Sequence, residues 1–105
     1  MQPEDRQLDA VVKRIVAAVH PLKIILFGAA ARGEMTPDSD LDVLVVMPEG
    51  THRRHTVEYL HQRMFGMELP VDIMVATPSD LERHRDNIGL IYRDILSEGK
   101  TLYAA

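Results

Sequence analysis

The chain has no cysteine among its 105 residues, so neither a disulfide staple nor a thiolate-ligated zinc site is open to it, and a reducing compartment fits. No uninterrupted apolar run approaches the roughly 20 residues of a membrane-spanning helix. The start, Met-Gln-Pro-Glu-Asp-Arg, is polar and acidic where a signal peptide is basic and then apolar. Excess positive charge is missing too: 12 basic residues stand against 16 acidic ones, for a net charge of −4. A sequence-independent binder of nucleic acid needs a basic footprint to neutralise phosphates, and this balance speaks against direct nucleic-acid binding. Internal repeats, low-complexity tracts and linkers are also lacking. An average domain has roughly 150 residues, so residues 1–105 are expected to form one soluble, cytoplasmic domain with no room for a second. Hydrophobic residues at 46% and charged ones at 27% are ordinary for a globular chain.

What is present is patterned. Leu8, Val11, Val12, Ile15, Val16 and Val19 recur at helical spacing and form one apolar stripe, which His20-Pro21 ends. Ile24-Ile25-Leu26-Phe27 is a short apolar run, read as a strand buried on both faces. Residues 28–39 form a loop, and Asp40 to Val46 is a second strand rich in β-branched residues. His52 to Phe65 reads as a helix with Val57, Leu60, His61 and Met64 on one face, and Val71 to Ala76 as a third strand. Thr77-Pro78-Ser79-Asp80 is a capping-box pattern that opens another helix. Ile88, Ile91, Tyr92, Ile95 and Leu96 continue in a stripe that Gly99 closes, and Lys100 to Tyr103 is a short edge strand. The expected fold is α/β, a small mixed sheet with helices packed on it.

Three carboxylates stand where carboxylates are costly. Asp40 and Asp42 are two apart on a strand, so both leave the same face. Asp72 interrupts an otherwise apolar strand between Val71 and Ile73. If these two strands are neighbours, the acids converge at one end of the sheet. Clustered carboxylates repel unless a cation lies between them. Magnesium, which takes oxygen ligands, answers that, and two such ions suit a phosphoryl displacement. The plainer alternative is that Asp42 faces solvent and Asp72 is a lone acid on an edge strand. Ahead of the acids, Gly28 and Arg32-Gly33 suit either a phosphate-holding loop or an ordinary strand-to-helix turn.

Taken together, Leu26 to Val46 (LFGAAARGEMTPDSDLDVLVV) resembles the Gly-Ser-x10-Asp-x-Asp signature of the polymerase-beta-like nucleotidyltransferase superfamily. The length and later segments resemble its minimal branch over residues 8–103. That resemblance implies a nucleotidyltransferase-like fold and magnesium-dependent transfer of a nucleoside monophosphate, AMP from ATP, onto a hydroxyl of a partner protein. It implies that Asp40, Asp42 and Asp72 are the catalytic metal ligands for two Mg2+ ions, with Asp72 also taking the acceptor's proton. Gly28, Ala29, Arg32, Gly33 and Ser39 would form the nucleotide-binding loop, Arg32 touching phosphate or bracing the loop and Ser39 capping the Asp40 turn. Members of this type resemble antitoxins paired with a HEPN-domain toxin, a ribonuclease. One departure stands out: Ala29 replaces the motif serine, and Ala30 a frequent basic residue. The alternative is therefore a weakened or inactive binding module that acts on its partner by contact alone.

Elsewhere, His52 and His55 sit at a metal-compatible spacing but read better as a solvated helix start, and His61 as a partly buried residue on the apolar stripe. Arg53-Arg54 and Arg83-His84-Arg85 are basic spots on helix surfaces. Met64 and Met67 near Phe65 suggest an exposed apolar patch of the kind that marks a partner interface.

Overall fold

The stripe of six apolar residues winds into helix α1 (Asp5–Val19), which buries Val11 and Ile15 almost completely. The computed structural model describes residues 5–36, 39–67, 69–84, 95 and 97–105. At the end of α1, His20 takes a left-handed φ of 51° and its amide donates to the Val16 carbonyl, turning the chain into buried Pro21. Strand β1 (Lys23–Phe27) follows, then a five-residue helix α2 (Gly28–Arg32) where a loop was expected. Strand β2 (Leu41–Val46), helix α3 (Arg53–Arg63), strand β3 (Val71–Ala76), helix α4 (Pro78–His84) and strand β4 (Lys100–Ala104) complete the order. The stripe residues Ile88, Ile91, Tyr92 and Leu96 and the basic Arg85 lie outside the described residues. Ile95 is described and is 2% exposed.

The sheet is mixed and runs β3-β2-β1-β4. β1 pairs antiparallel with both β2 and β4, whereas β2 and β3 run parallel, Leu41 opposite Val71 and Asp42 opposite Asp72. The α3 segment supplies the crossover that a parallel pair requires. β4 is an edge strand, as its short mixed sequence suggests.

Both faces of the sheet are covered, which is why β1 and β2 are apolar nearly throughout. Leu41, Val43, Val45, Ile24, Leu26, Ile73 and Val75 pack on one side against Val11 and Ile15 of α1 and Leu60 of α3. On the other side Ile25, Leu44, Val46 and Ala76 pack against Ile95, with Leu81 of α4 beside them. Asp42 and Asp72 share the side of Leu44 and Ala76 by the two-residue alternation of a strand.

Helix α3 corrects two expectations. His61 is exposed. The helix buries a narrow strip of Val57, Leu60 and Met64, and His61 falls roughly 70° to one side of its centre at about 100° per residue. Met64 is core, 8% exposed, and Met67 is half-buried, so of the expected surface patch only Phe65 stands out, 89% exposed. His52 is the N-cap, its Nδ1 accepting from the His55 amide at 3.2 Å while the two rings stack 3.8 Å apart. At the other end Arg14 of α1 donates to the carbonyls of Arg63 and Phe65, at 3.0 and 2.8 Å, and so caps α3 from outside.

Candidate functional site

The end of β1 and the beginnings of β2 and β3 meet at one end of the sheet. Phe27 pairs with Asp42, and Asp42 with Asp72. The acids are thus neighbours across a parallel ladder, not isolated residues on separate edges. Asp40 lies just ahead of β2 and is exposed, as is Asp72, while Asp42 is half-buried. Burial raises the Asp42 carboxyl above its ordinary pKa, and the charges of Asp72 and then Asp40 raise it further. A hydrogen bond to Asp72 acts in the same direction, and Arg32 only partly opposes it. Two carboxyls bonded to one another must share a proton or be bridged by a cation. Among the described residues no group of three or more His, Asp or Glu side chains is gathered closely enough to hold a metal ion. The tight element is therefore the Asp42–Asp72 pair, with Asp40 close enough to be felt electrostatically. An all-oxygen donor set under mutual repulsion matches what a hard divalent cation binds.

Gly28 is explained by that pair. Its φ is +70°, and a Cβ placed on it would run into the Asp42 carboxylate. No side chain fits between the start of α2 and the acid. Gly33, at φ 74°, closes α2, its amide pointing back to the Ala29 and Ala30 carbonyls. Ala30 and Ala31 are buried against the sheet, so a basic side chain at position 30 has no space in this packing. Among the described residues no side chain caps the N-terminus of α2.

Arg32 has an electrostatic hold on Asp42, yet its guanidinium is engaged elsewhere, by Glu34 at 3.1 Å and Glu98 at 3.8 Å. In this arrangement it braces α2 against the C-terminal segment. Neither partner was evident beforehand; Glu34 two residues on was the one available signal. Ser39 closes the turn ahead of Asp40, its Oγ accepting from the Thr36 amide and its own amide donating to the Thr36 carbonyl, both at 3.0 Å.

A second polar cluster sits at the start of α4, away from the acids. Asp80, 5% exposed, accepts from the Thr77 amide at 3.0 Å and pairs with Arg53 at 2.9 Å. Burial alone would raise its carboxyl, but the Thr77 hydrogen bonds and Arg53 outweigh that and hold it below the ordinary value. Glu49 accepts from the Ser79 amide and hydroxyl at 2.7 and 2.8 Å. These groups satisfy each other's hydrogen bonds.

With this geometry in view, a family model described as nucleotidyltransferase domain matches residues 6–102. Comparison with curated protein sequences gives no match. A toxin–antitoxin complex solved with AMP-PNP is similar at a TM-score of 0.71 and 20% identity, over 93% of this chain and 73% of the other. The complex of tri-AMPylated Shewanella oneidensis HEPN toxin with MNT antitoxin is similar at 0.64 and 16%, over 95% and 71%. A protein from Sulfolobus solfataricus assigned as a nucleotidyltransferase is similar at 0.62 and 19%, over 94% and 81%. At these identities the likeness is one of fold. Among the described residues no helix is long and apolar enough to cross a membrane.

Proposed function

The chain belongs to the nucleotidyltransferase domain family, and from that premise we propose that it moves AMP from ATP onto a hydroxyl of a partner protein. The observation that carries this reading is the in-register Asp42–Asp72 pair beside a glycine that admits no side chain. Asp40, Asp42 and Asp72 are the residues that would hold two Mg2+ ions. When bound, such ions neutralise the triphosphate and stabilise the attacking and leaving oxygens of a displacement. The chain's own groups do the rest. Gly28 and Gly33 shape the turn so that phosphate can approach the uncapped first amides of α2. Ala29 contributes its backbone there, and Arg32 supplies positive charge on the same side. Ser39 fixes the turn that delivers Asp40. In the transfer, the acceptor oxygen bonds to the α-phosphorus, the bond to pyrophosphate breaks, and the hydroxyl proton passes to an Asp72 carboxylate oxygen.

The similar toxin–antitoxin structures support a HEPN-type toxin as the partner; in this reading the chain acts as the antitoxin, in the cytoplasm. The test is intact mass of the protein encoded beside this chain after incubation with ATP and Mg2+. A gain of one or more AMP units is expected, absent with Asp40→Asn/Asp42→Asn. No gain, with the complex still formed by the double variant, overturns transfer.

A second reading, binding by contact alone, is favoured by Ala29. A hydroxyl there would add a charge-assisted hydrogen bond worth roughly 1.5–3 kcal/mol. Ala29→Ser should therefore tighten ATP binding by about 10- to 150-fold, measured by calorimetry. Unchanged affinity would remove this loop from the nucleotide site.

A further inference from the structure

Away from the acids, a groove between α1 and α3 carries a second function. One cavity of about 260 Å³ has Val11, Leu41, Met67 and Leu69 among its lining residues, and its charged members are Arg6 and Arg14. A second, of about 320 Å³, lies on Ala17, Ala18 and Tyr59, and its charged members are Arg14 and Arg63. Arg14 lines both, so the two are one continuous surface. In a chain of net charge −4, every charged side chain lining it among the described residues is an arginine.

Between Arg63 of one cavity and Gly66 of the other stands the most exposed large apolar side chain among the described residues. Phe65 is 89% exposed and Tyr59 38%. Phe65 is held out by a rigid frame: Arg14 bonds its carbonyl, and Gly66, at φ +87°, turns the chain beyond it. Arg63 lies 4.7 Å over the Tyr59 ring and donates to its hydroxyl at 2.8 Å, making a fixed plate of cation and aromatic. Preorganised aromatic and arginine side chains beside a pocket are the composition of binding hot spots. Leu41 lines the groove from the face of β2 opposite to that of Asp42, so the groove and the acids lie on opposite sides of the same end of the sheet.

We propose that the α1–α3 groove, with Phe65 as its anchor, docks a partner protein whose facing surface has an apolar pocket rimmed by carboxylates. A second copy is disfavoured by symmetry, because an isologous pair through this patch would set Arg6, Arg14 and Arg63 against themselves. Nucleic acid is disfavoured by the apolar floor and the acidic balance of the chain. The surface stands without the transfer reaction; it rests on the reading above only in that its occupant would be the protein that carries the acceptor hydroxyl.

The test places a photo-crosslinking benzoylphenylalanine at position 65 of the full chain in its native cells, with the same residue at exposed Thr101 on β4 as control. The expected product is one protein, attached through a segment rich in Asp or Glu and apolar residues, at a yield at least tenfold above the Thr101 control. Arg14→Glu/Arg63→Glu should lower that yield tenfold or more, as should competition by unlabelled chain but not by Phe65→Ser. Since Phe65 is solvent-exposed, Phe65→Ser should leave the unfolding midpoint unchanged. A crosslink to RNA, to a second copy, or equally from both positions overturns the proposal, as does no crosslink. Repeating it with Asp40→Asn/Asp42→Asn separates the two readings. In that variant the crosslink should survive although transfer is lost; with the parent chain, a crosslink without AMP transfer defeats the reaction alone, and AMP transfer to a partner that does not crosslink defeats the docking surface alone.

Discussion

Helices α2 and α4 both begin where a strand has just ended, α2 directly after β1 and α4 one residue after β3, yet their first turns are built in opposite ways. The first turn of α4 is filled by the protein's own oxygens. Asp80 and Thr77 bond each other's amides reciprocally, Glu49 takes the Ser79 amide and hydroxyl, and Arg53 neutralises the buried acid. The first turn of α2 has no side-chain cap among the described residues, starts with a glycine at φ +70°, and faces an acid raised above its ordinary pKa rather than lowered below it. Helix N-termini attract negative charge through their exposed amides and dipole. At α4 that attraction is used up in holding the fold together. At α2 no described side chain takes it up, and under the proposed function it would meet the triphosphate, with cations between it and the acids.

The largest effect is expected where the α2 turn touches the acid. Gly28→Val forces a β-branched residue into a left-handed φ and drives its side chain into Asp42. Backbone strain of about 1–2 kcal/mol and overpacking of about 1–3 kcal/mol add to roughly 3 kcal/mol lost. Displacement of Asp42 should lower AMP transfer about 100-fold even in molecules that fold. Urea denaturation and single-turnover transfer measure the two separately. A variant that keeps full stability would show that the contact with Asp42 is relieved cheaply, and α2 would lose its special status in the comparison.

Asp80→Ala removes the acid from the other turn. The buried Thr77 amide is then unsatisfied, at about 1–3 kcal/mol. The Arg53 pair adds less than about 1 kcal/mol, because that guanidinium is 55% exposed. A loss of roughly 2–3 kcal/mol in equilibrium unfolding is expected, with AMP transfer per folded molecule unchanged. A transfer defect in the folded fraction would mean that the two ends are coupled.

Much of this contrast was legible in the amino-acid order, and the remainder was not for definite reasons. The six-residue stripe of α1 needed only its period, and Asp42 with Asp72 needed only strand alternation and the adjacency of β2 and β3. The Thr77-to-Asp80 box is local, so it too could be read directly. Helix α2 was missed as a helix because Gly-Ala-Ala-Ala-Arg spans barely more than one turn and carries no periodicity. Glu49 and Arg53 as partners of the α4 turn were invisible because they lie about 30 residues upstream and meet it only through the β2–β3 pairing. Misplacing His61 had a geometric cause: helical spacing gives the angle of a side chain but not the width of the strip that the sheet covers.

Glu49→Gln gives a smaller loss, because the carboxylate is exposed and a carboxamide still offers one acceptor to Ser79. Roughly 0.3–1 kcal/mol is expected, that of a charge at a helix N-terminus, and it should shrink in 1 M salt. A loss unaffected by salt would point to hydrogen-bond geometry instead of charge as the source of α4's stability.

The smallest change expected in size is also of opposite sign. Asp42→Asn relieves the repulsion with its directly opposed partner Asp72 and should stabilise the protein by roughly 0.2–1 kcal/mol at neutral pH without divalent cations, while removing AMP transfer. The pH dependence follows from the directions of the two shifts. A carboxyl raised in the folded state makes the native protein bind its proton more readily than the unfolded chain does. Ionising Asp42 therefore costs stability as pH rises from the ordinary carboxylate range, about 4, through its higher folded value. Asp80, lowered in the folded state, contributes stability above that ordinary range and loses it as pH falls through its lower folded value. Between the ordinary range and the folded pKa of Asp42, the parent protein should lose stability with rising pH relative to Asp42→Asn. Below pH 4 the two should converge and fall together as Asp80 protonates. Chemical denaturation at stepped pH measures both limbs, and addition of Mg2+ should erase the first in the parent protein, because a cation between the acids takes the place of the proton. Parallel curves for parent and variant across the whole range would mean that Asp42 is not under repulsion at all, and the contrast between the two helix starts would reduce to capping.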